Sequence, residues 1–397
     1  MSPQGEFQKE LVLEGGKRIL ISPATADDAL RIRWLYHLVY GGNYPFSLVY
    51  NPQECADAIA SDRYLWFLAR DGDAAVGSLL FNVDRGIHLG KVFGAVVADE
   101  FRGRDIAENM LSWGVDIVAN RLKAARSVYA TTRTVSLGPQ RLAEKAGFKK
   151  LGIFPNAHKV YKSETHTLAV YYGPGALEAR DCTPWLPLLL KPFFAIVRRE
   201  TGLPEAEYLD LPVDLEPAGG AVTAFEVVSA PLFILRRFAD AKARGRLVLD
   251  FFPFHEPNLL LVSPDGRTEL YVYRSAKDGH CVLIGAFSET LEMRTMLDHG
   301  AACLEGMGVR YLEVLVEADD ARRLQQVLCA RFLPSAYFPA MRWDAAGKRA
   351  RDYVVLSRSL TILDFKGLVL QPAYTDYLKE YFRLWREQHI GKVLPEA

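Results

Sequence analysis

An internal repeat constrains this chain more than any other feature of its sequence. Residues 126–155 align without gaps on residues 310–339, and both segments are predicted to form a strand, a helix and a second strand. Identical residues stand at matching positions: Arg126 and Arg310, Ala146 and Ala330, Phe148 and Phe332, and Phe154–Pro155 and Phe338–Pro339. Recurrence at a fixed offset is typical of one supersecondary unit built twice. We therefore expect two related halves.

Length and charge agree with this expectation and exclude some partners. The 397 residues exceed the size at which single hydrophobic cores stop growing, so two domains are favoured. The 48 Lys and Arg residues balance the 48 Asp and Glu residues. Since proteins that grip phosphate backbones normally carry a basic surplus, we expect no nucleic-acid partner.

The cysteines and the apolar segments indicate the cellular compartment of the protein. The five cysteines are odd in number and none lies in a Cys-x-x-Cys pair, which argues against a disulfide scaffold or a zinc ribbon. The N-terminal residues are polar and lack the apolar core of a signal peptide. The most apolar stretch, 185–197, is shorter than the roughly 20 residues of a membrane span. We expect a cytoplasmic protein without membrane contact, and we interpret 185–197 as a packed inter-domain segment.

The pattern of strands, helices and prolines divides the chain into four segments. They are a first domain at 1–175, a proline-rich connector at 176–220, a degenerate copy at 221–362 and a C-terminal helical tail at 363–397. Tyr377, Tyr381 and Trp385 follow helical spacing in the tail, which predicts that its helix packs back on a domain. A homodimer contact through this helix is the alternative.

The first segment predicts a mixed sheet. Its elements run as a strand, two helices, a three-stranded antiparallel meander, a helix, a strand, a helix and two strands. A helix between neighbouring strands implies a right-handed parallel crossover beside the meander. The expected fold class is α/β with a mixed α+β sheet, not a doubly wound one.

A charged turn between a buried strand and an amphipathic helix, residues 99–107, carries the strongest functional signal. The first N–H groups of a helix have no internal partner, and together with the helix dipole they form an anion site. Gly103 lets the backbone come close to a ligand, and Arg102 and Arg104 add positive charge. This geometry suits a pyrophosphate.

The turn resembles the signature of the GNAT acetyltransferase superfamily, Gln/Arg-x-x-Gly-x-Gly/Ala between a strand and a helix. Arg102, Asp105 and Ala107 occupy its three positions, and residues 144–152 resemble the family's helix that runs into Gly-Phe and a further strand. The resemblance covers about 17–175 clearly and 221–360 faintly. It implies two tandem GNAT-like acyl-CoA N-acyltransferase folds. The second copy is degenerate because it lacks the charged turn, so one coenzyme site per chain is expected.

The resemblance also implies a cofactor, acetyl-CoA or another acyl-CoA. The strand that ends before the turn would part from its neighbour and pair with the pantetheine arm, and the amides of the turn would hold the pyrophosphate. Ser136 stands where the family often has an asparagine that contacts the coenzyme. The implied cofactor-binding residues are Ala95, Val96, Val97, Arg102, Gly103, Arg104, Asp105, Ile106, Ala107 and Ser136.

Two departures from the family pattern affect these expectations. Asp105 replaces the central signature glycine, and its carboxylate about 5 Å from a phosphate would cost roughly 3 kcal/mol at an effective dielectric of 20. Ala143 stands where many members carry the tyrosine that protonates the leaving thiolate. The candidate catalytic residues are therefore His88, or Lys91, as a base and Tyr129 as an acid. The alternatives are a surface histidine and a sheet-packing aromatic.

An aromatic cluster from the first two helices, including Tyr36, Tyr40 and Tyr44, is the candidate substrate site, with packing in the core as its alternative. No metal site is predicted, since His255, Glu256 and His280 are too scattered. The predicted function is direct attack of an amine on the thioester of an acyl-CoA. The acceptor would be a small-molecule amine or, second, a protein lysine. The alternatives are a non-catalytic acyl-CoA sensor and a scaffold protein.

Overall fold

A computed structural model describes residues 7–44, 46–159, 163–180, 183–214 and 223–390. Within these ranges the chain builds one mixed sheet of fifteen strands and a separate pair of short parallel strands, with helices packed on the large sheet. The predicted mixed α/β fold class is confirmed.

Apart from an additional strand at Lys9–Val12, the first half follows the predicted order of elements. Its elements are β1 (Lys9–Val12), β2 (Arg18–Pro23), α1 (Ala29–Tyr40), α2 (Pro52–Ala60), β3 (Tyr64–Asp71), β4 (Ala74–Asp84), β5 (Leu89–Val97), α3 (Ile106–Val115), β6 (Ser127–Arg133), α4 (Gly138–Lys145), β7 (Lys149–Lys159) and β8 (Ser163–Tyr172). The α-helical part of α3 ends at Val115, and π-helical turns over Asp116–Arg121 continue it.

The rest of the chain begins with the connector. Its elements are β9 (Trp185–Pro187), α5 (Lys191–Thr201) and β10 (Glu207–Leu209). The second half contains β11 (Glu226–Val228), α6 (Pro231–Ala243), β12 (Leu259–Val262), β13 (Thr268–Ser275), β14 (His280–Ser288), α7 (Met293–Gly306), β15 (Tyr311–Glu317), α8 (Ala321–Cys329), β16 (Leu333–Asp344) and β17 (Arg349–Ser359), and α9 (Pro372–His389) follows it.

The large sheet has the strand order β1-β2-β3-β4-β5-β6-β8-β7-β16-β17-β15-β14-β13-β12-β11. From β2 to β8 and from β11 to β17 the two halves share one order. In each half, a single parallel pair (β5 with β6, β14 with β15) follows the antiparallel meander. The halves join edge to edge, where β7 and β16 pair antiparallel at Gly152 and Ala336.

The sequence repeat explains this junction. Gly152 and Ala336 occupy the same position in the two aligned segments, and a residue that pairs with its own equivalent lies on a pseudo-twofold axis. Backbone conformation repeats as well: Gly147 and Arg331 have φ values of 86° and 64°, and Asn156 and Ala340 have φ values of 55° and 49°. The predicted domain boundaries themselves stay predictions, and residues 181–182, 215–222 and 391–397 of the connector, the second copy and the tail lie outside the described ranges.

Two helices outside the repeat cover the junction. Phe194 of α5 packs its ring 4.9 Å from Tyr337 of β16. In α9, the Tyr374 hydroxyl donates to the Leu168 carbonyl (3.2 Å) and the Tyr377 hydroxyl to the Lys150 carbonyl (3.1 Å). The apolar stretch of the connector and the C-terminal helix are therefore packing elements of one shared core. None of the helices in the described ranges is both long and apolar enough to cross a membrane.

Candidate functional site

Strands β5 and β6 diverge at the centre of the first half. They pair in parallel over Leu89–Lys91 and Ser127–Tyr129, and no further pairing between them is found in the described ranges. β5 continues to Val97 and leads into the charged turn and α3. Ala95, Val96 and Val97 therefore lie beside a gap between the strands, where main-chain N–H and C=O groups need other partners.

A bulge at Gly94 bends β5 at this gap. The pairing with β4 shifts between Ser78 and Leu80, and Gly94 has a φ of 68°. The Tyr36 hydroxyl donates a hydrogen bond to the Gly94 carbonyl at 2.6 Å. A Cβ atom on Gly94 would lie 2.7 Å from that hydroxyl oxygen, so only glycine fits here.

The charged turn beyond the gap has the backbone of an anion site. Asp105 is the N-cap of α3 with φ 55° and ψ 15°, the left-handed conformation that a signature glycine would supply. Gly103 is also left-handed, with a φ of 74°. The Asp105 side chain makes no capping hydrogen bond. Ile106 is buried in the core and anchors the start of the helix, whose first N–H groups have no intrahelical partner.

The basic side chains of the turn are exposed at the mouth of the gap. Arg102 pairs with Asp99 at 2.8 Å and donates from Nε to the Val97 carbonyl at 3.3 Å, which ties the turn to the end of β5. Arg104 lies with its guanidinium 5.8 Å from the Phe101 ring centroid. Ser136 is exposed in the turn after β6, which leaves the sheet at the same end. These contacts are weak enough to be exchanged for a ligand.

The structure gives the three predicted substrate tyrosines different roles. Tyr36, Tyr40 and Tyr44 form one aromatic cluster, with ring centroids 4.8 to 6.1 Å apart. Tyr36 is fully buried and its hydroxyl is used by Gly94, so it supports the bulge and offers nothing to a substrate. Tyr40 is only partly buried. Burial raises its pKa, while Arg102 and Arg133 are near enough to oppose the shift.

Tyr129 lies at the apex of the gap. It forms with Lys91 the last paired position before β5 and β6 diverge, and the Lys91 ammonium lies 5.7 Å from its ring centroid. Burial, with Glu313 nearby, raises the Tyr129 pKa, so its hydroxyl stays protonated. Burial lowers the Lys91 pKa, and Glu313 opposes that shift.

His88, the candidate base from the sequence, lies on the paired side of the gap. It precedes Leu89, the first residue of β5, whereas β5 and β6 diverge only beyond Lys91 and Tyr129. Its ring packs edge-on against Trp343 of the second half, and its carbonyl accepts hydrogen bonds from Arg126 and Ser127. The position therefore serves the contact between the halves.

Sequence reasoning missed a polar cluster that the two halves build together. His158 of β7 bonds Asp278 at 2.8 Å, and its ring lies 4.7 Å from those of His166 and His280. His280 in turn lies 3.5 Å from Glu313. The histidines and Glu313 come from four different strands of both halves, and Asp278 lies in the turn between β13 and β14. Isolated polar residues inside apolar strands were the only signal for them.

Comparisons with known proteins agree with the geometry. Residues 29–148 match the model of the acetyltransferase (GNAT) family. No curated protein sequence matches the chain.

Three solved structures illustrate the structural matches. A ribosomal-protein-S5-alanine acetyltransferase from Vibrio fischeri is 13% identical over 43% of this chain and 98% of its own, with a TM-score of 0.37. A GNAT-family acetyltransferase from Streptococcus pneumoniae is 18% identical over 39% and 99%, with a TM-score of 0.35. RimJ from Mycobacterium smegmatis, in complex with CoA-disulfide, is 20% identical over 43% and 90%, with a TM-score of 0.35.

Proposed function

We propose that the first half of the chain, whose residues 29–148 belong to the acetyltransferase (GNAT) family, is an acyl-CoA-dependent N-acyltransferase. The observation that carries the proposal is the gap between β5 and β6, which opens directly into the charged turn at the start of α3. A strand edge followed by a helix N-terminus suits a ligand with an extended amide-containing arm and a pyrophosphate. Acyl-CoA has both.

The residues of the gap fit such a coenzyme. Ala95, Val96 and Val97 would pair with the pantetheine arm, the amides of Arg102–Ala107 would hold the pyrophosphate, and Ser136 would add a hydrogen bond. The left-handed Asp105 keeps the backbone of the turn in the required shape. Its carboxylate opposes phosphate binding by roughly 3 kcal/mol before screening, and Arg102 and Arg104 offset that repulsion.

Bound acyl-CoA would supply an activated thioester carbonyl. Nitrogen of the acceptor amine attacks the carbonyl carbon, the C–N bond forms, and the C–S bond breaks. The amine releases one proton to solvent, and the leaving thiolate gains one. Tyr129, protonated at the apex of the gap, is the proposed proton donor to sulfur, and an amide near Val97 is the proposed donor to the oxyanion.

A non-catalytic acyl-CoA sensor is the second candidate. Ala143 favours it, because this residue is buried in the core of the first half and has no group that could transfer a proton. Asp105 favours it too, since it weakens the affinity on which turnover depends. Release of free CoA thiol in the presence of amines separates the two, because a sensor binds acyl-CoA without releasing thiol.

Calorimetric titration of the full chain with acetyl-CoA and with CoA tests the coenzyme site. We expect micromolar binding at one site per chain. The Arg102→Ala, Arg104→Ala pair should weaken it by roughly 100-fold, since each charge-assisted hydrogen bond contributes about 1.5–3 kcal/mol. Arg33→Ala, an exposed arginine of α1, is the matched control. Absence of binding by the unmodified protein would refute both the transferase and the sensor.

A further inference from the structure

The second half contains a counterpart of the gap. β14 and β15 pair in parallel over His280–Leu283 and Tyr311–Val314 and then diverge, and the β13–β14 pairing shifts between Tyr271 and Val272. The sequence similarity between 92–97 and 283–288 places Ala286 where the first half has Ala95. Each half thus has a strand edge of the same kind.

In the second half this edge is already occupied by the chain. Val248 donates its N–H to the Ala286 carbonyl at 2.8 Å, and the Ala286 N–H donates to the Leu249 carbonyl at 3.0 Å. Both main-chain groups of an antiparallel strand residue point to one side, and β13 flanks β14 on the other. Val248 and Leu249 therefore lie in the space between β14 and the departing β15.

The two halves differ in two further ways, besides the presence of Val248 and Leu249 in the gap of the second half. Residues 98–105, eight positions, connect β5 to α3, whereas residues 289–292, four positions, connect β14 to α7. The first half places α2 between α1 and β3, whereas the equivalent residues 244–258, all described, contain no helix. The segment that would have been the second helix runs instead through the gap.

The same segment then forms a wall of a cavity between the halves. Phe251, Phe252, Phe254 and His255 line a cavity of about 540 Å³, with Arg63 and Asn82 of the first half opposite them. The Phe254 ring lies 6.1 Å from that of Tyr129. The wall therefore reaches the apex of the open gap in the first half.

His255 presents a defined hydrogen-bond acceptor in this wall. Its Nδ1 lies 2.8 Å from the Pro253 carbonyl, and because a carbonyl can only accept, Nδ1 carries the proton. The imidazole lies 5.2 Å from Phe252 and 4.9 Å from Tyr273. Burial lowers its pKa to about 4, so the ring is neutral near pH 7 and Nε2 keeps its lone pair.

We propose that this cavity binds the acceptor, a small amine carried on an apolar ring or chain, with the apolar body against Phe252 and Phe254 and the nitrogen donating to His255 Nε2. The inference rests on the proposed transferase function and names its substrate class. The volume is in the range of small-molecule sites. The second half has exchanged its own coenzyme slot for a wall of the acceptor site, which Val248 and Leu249 hold in place.

Saturation-transfer NMR and calorimetry on the full chain, with 2-phenylethylamine as probe and ethanolamine as the polar control, test the proposal. We expect 2-phenylethylamine to bind at least about tenfold more tightly, since burial of a phenyl ring exceeds 1.4 kcal/mol. His255→Phe should weaken its binding about tenfold, and His255→Gln, which keeps an acceptor, should restore most of it. Equal binding of both amines, or no effect of His255→Phe, would overturn the proposal.

Val248→Pro tests whether the segment in the gap of the second half holds the cavity wall in place, because proline removes the N–H that bonds Ala286. Amine binding should fall about tenfold, whereas the Val248→Ala variant, which keeps the N–H, should bind the amine as the unmodified chain does. Affinity for CoA is measured on every variant and should not change. Amine binding without CoA binding would refute the transferase alone, and CoA binding without amine binding would refute the cavity alone. Unaltered amine binding in a folded Val248→Pro variant would refute the idea that the Val248–Ala286 hydrogen bond holds the wall of the cavity in place.

Discussion

Tyr129 combines the two properties that a proton donor at the gap requires. It stands at the last paired position of β5 and β6, and its buried environment keeps the hydroxyl protonated. Ala143 lies in the core on α4 and provides no alternative. The proposed acid of this site therefore comes from a strand position, whereas the family pattern would place it on a helix.

Replacing Tyr129 with phenylalanine should lower the rate of thiol release about 100-fold, because a positioned acid contributes 10²–10⁴-fold to catalysis. Binding of CoA should be unchanged, since the ring is retained. Steady-state kinetics with calorimetry on the same preparation measure both. Tyr171→Phe on the neighbouring strand β8 is the control, and an unchanged rate in Tyr129→Phe would assign the proton transfer elsewhere.

His255 makes stability depend on pH in a predictable direction. Its pKa falls from about 6.5 in the unfolded chain to about 4 in the folded one, so between these values the unfolded state binds more protons. Stability is fully present above pH 6.5 and is lost as the pH falls towards 4, by about 3 kcal/mol at 1.36 kcal/mol per pKa unit.

Urea unfolding at pH 7, 6, 5 and 4 measures this loss. The His255→Phe variant should show a smaller decline over the same range. Parallel profiles for the two proteins would mean that His255 does not stay neutral in the folded chain.

Among the elements, the bulge of β5 decides whether the gap exists. The Tyr36 hydroxyl and the left-handed Gly94 hold the strand in a bend that separates it from β6. The helix α1 therefore shapes the gap through one partly buried hydrogen bond.

Gly94→Ala should destabilise the protein by about 1–3 kcal/mol and reduce CoA affinity, because the added Cβ meets the Tyr36 hydroxyl and the left-handed backbone is strained. A double-mutant cycle with Tyr36→Phe, which removes that oxygen, should recover part of the loss. Additive losses in the cycle would show that the two residues do not interact.

Across the molecule, the junction of β7 and β16 joins the two halves into one continuous sheet. Residues of both halves share a core cluster with α5 and α9. A Cβ on Gly152 would overlap the Ala336 side chain and the Ser335 carbonyl. Glycine is required here because the pseudo-twofold axis brings the two strands into their closest contact.

Gly152→Ala should therefore lower the free energy of unfolding by about 3 kcal/mol, the upper part of the range for overpacked sites. Urea unfolding followed by circular dichroism measures the change. Gly306→Ala, at a helix end where an added Cβ meets nothing within 4 Å, is the matched control and should be nearly neutral. Equal stability of the two variants would refute the tight junction.

The features that the sequence predicted correctly are those that depend on residues close together in the chain. The order of strands and helices follows from local pattern and backbone preference, and the strand order that the two halves share agrees with the sequence repeat. Strand ends depend on distant contacts as well: β7 extends to Lys159, beyond the end of the repeated segment at Pro155, and its His158 bonds Asp278 of the other half.

The remaining features of the site depend on contacts between residues that lie far apart in the chain. The packing of His88 against Trp343 of the second half joins residues far apart in the chain, and no local pattern predicts it. The hydrogen bond of Tyr36 likewise depends on folding, because only the tertiary structure brings its hydroxyl to Gly94. The sequence of residues 244–258 does not predict that Val248 and Leu249 fill the gap of the second half, since this depends on where β14 and β15 diverge. Local propensity fixes which elements form, whereas the partners of their free edges follow from long-range packing, which no periodicity in the sequence encodes.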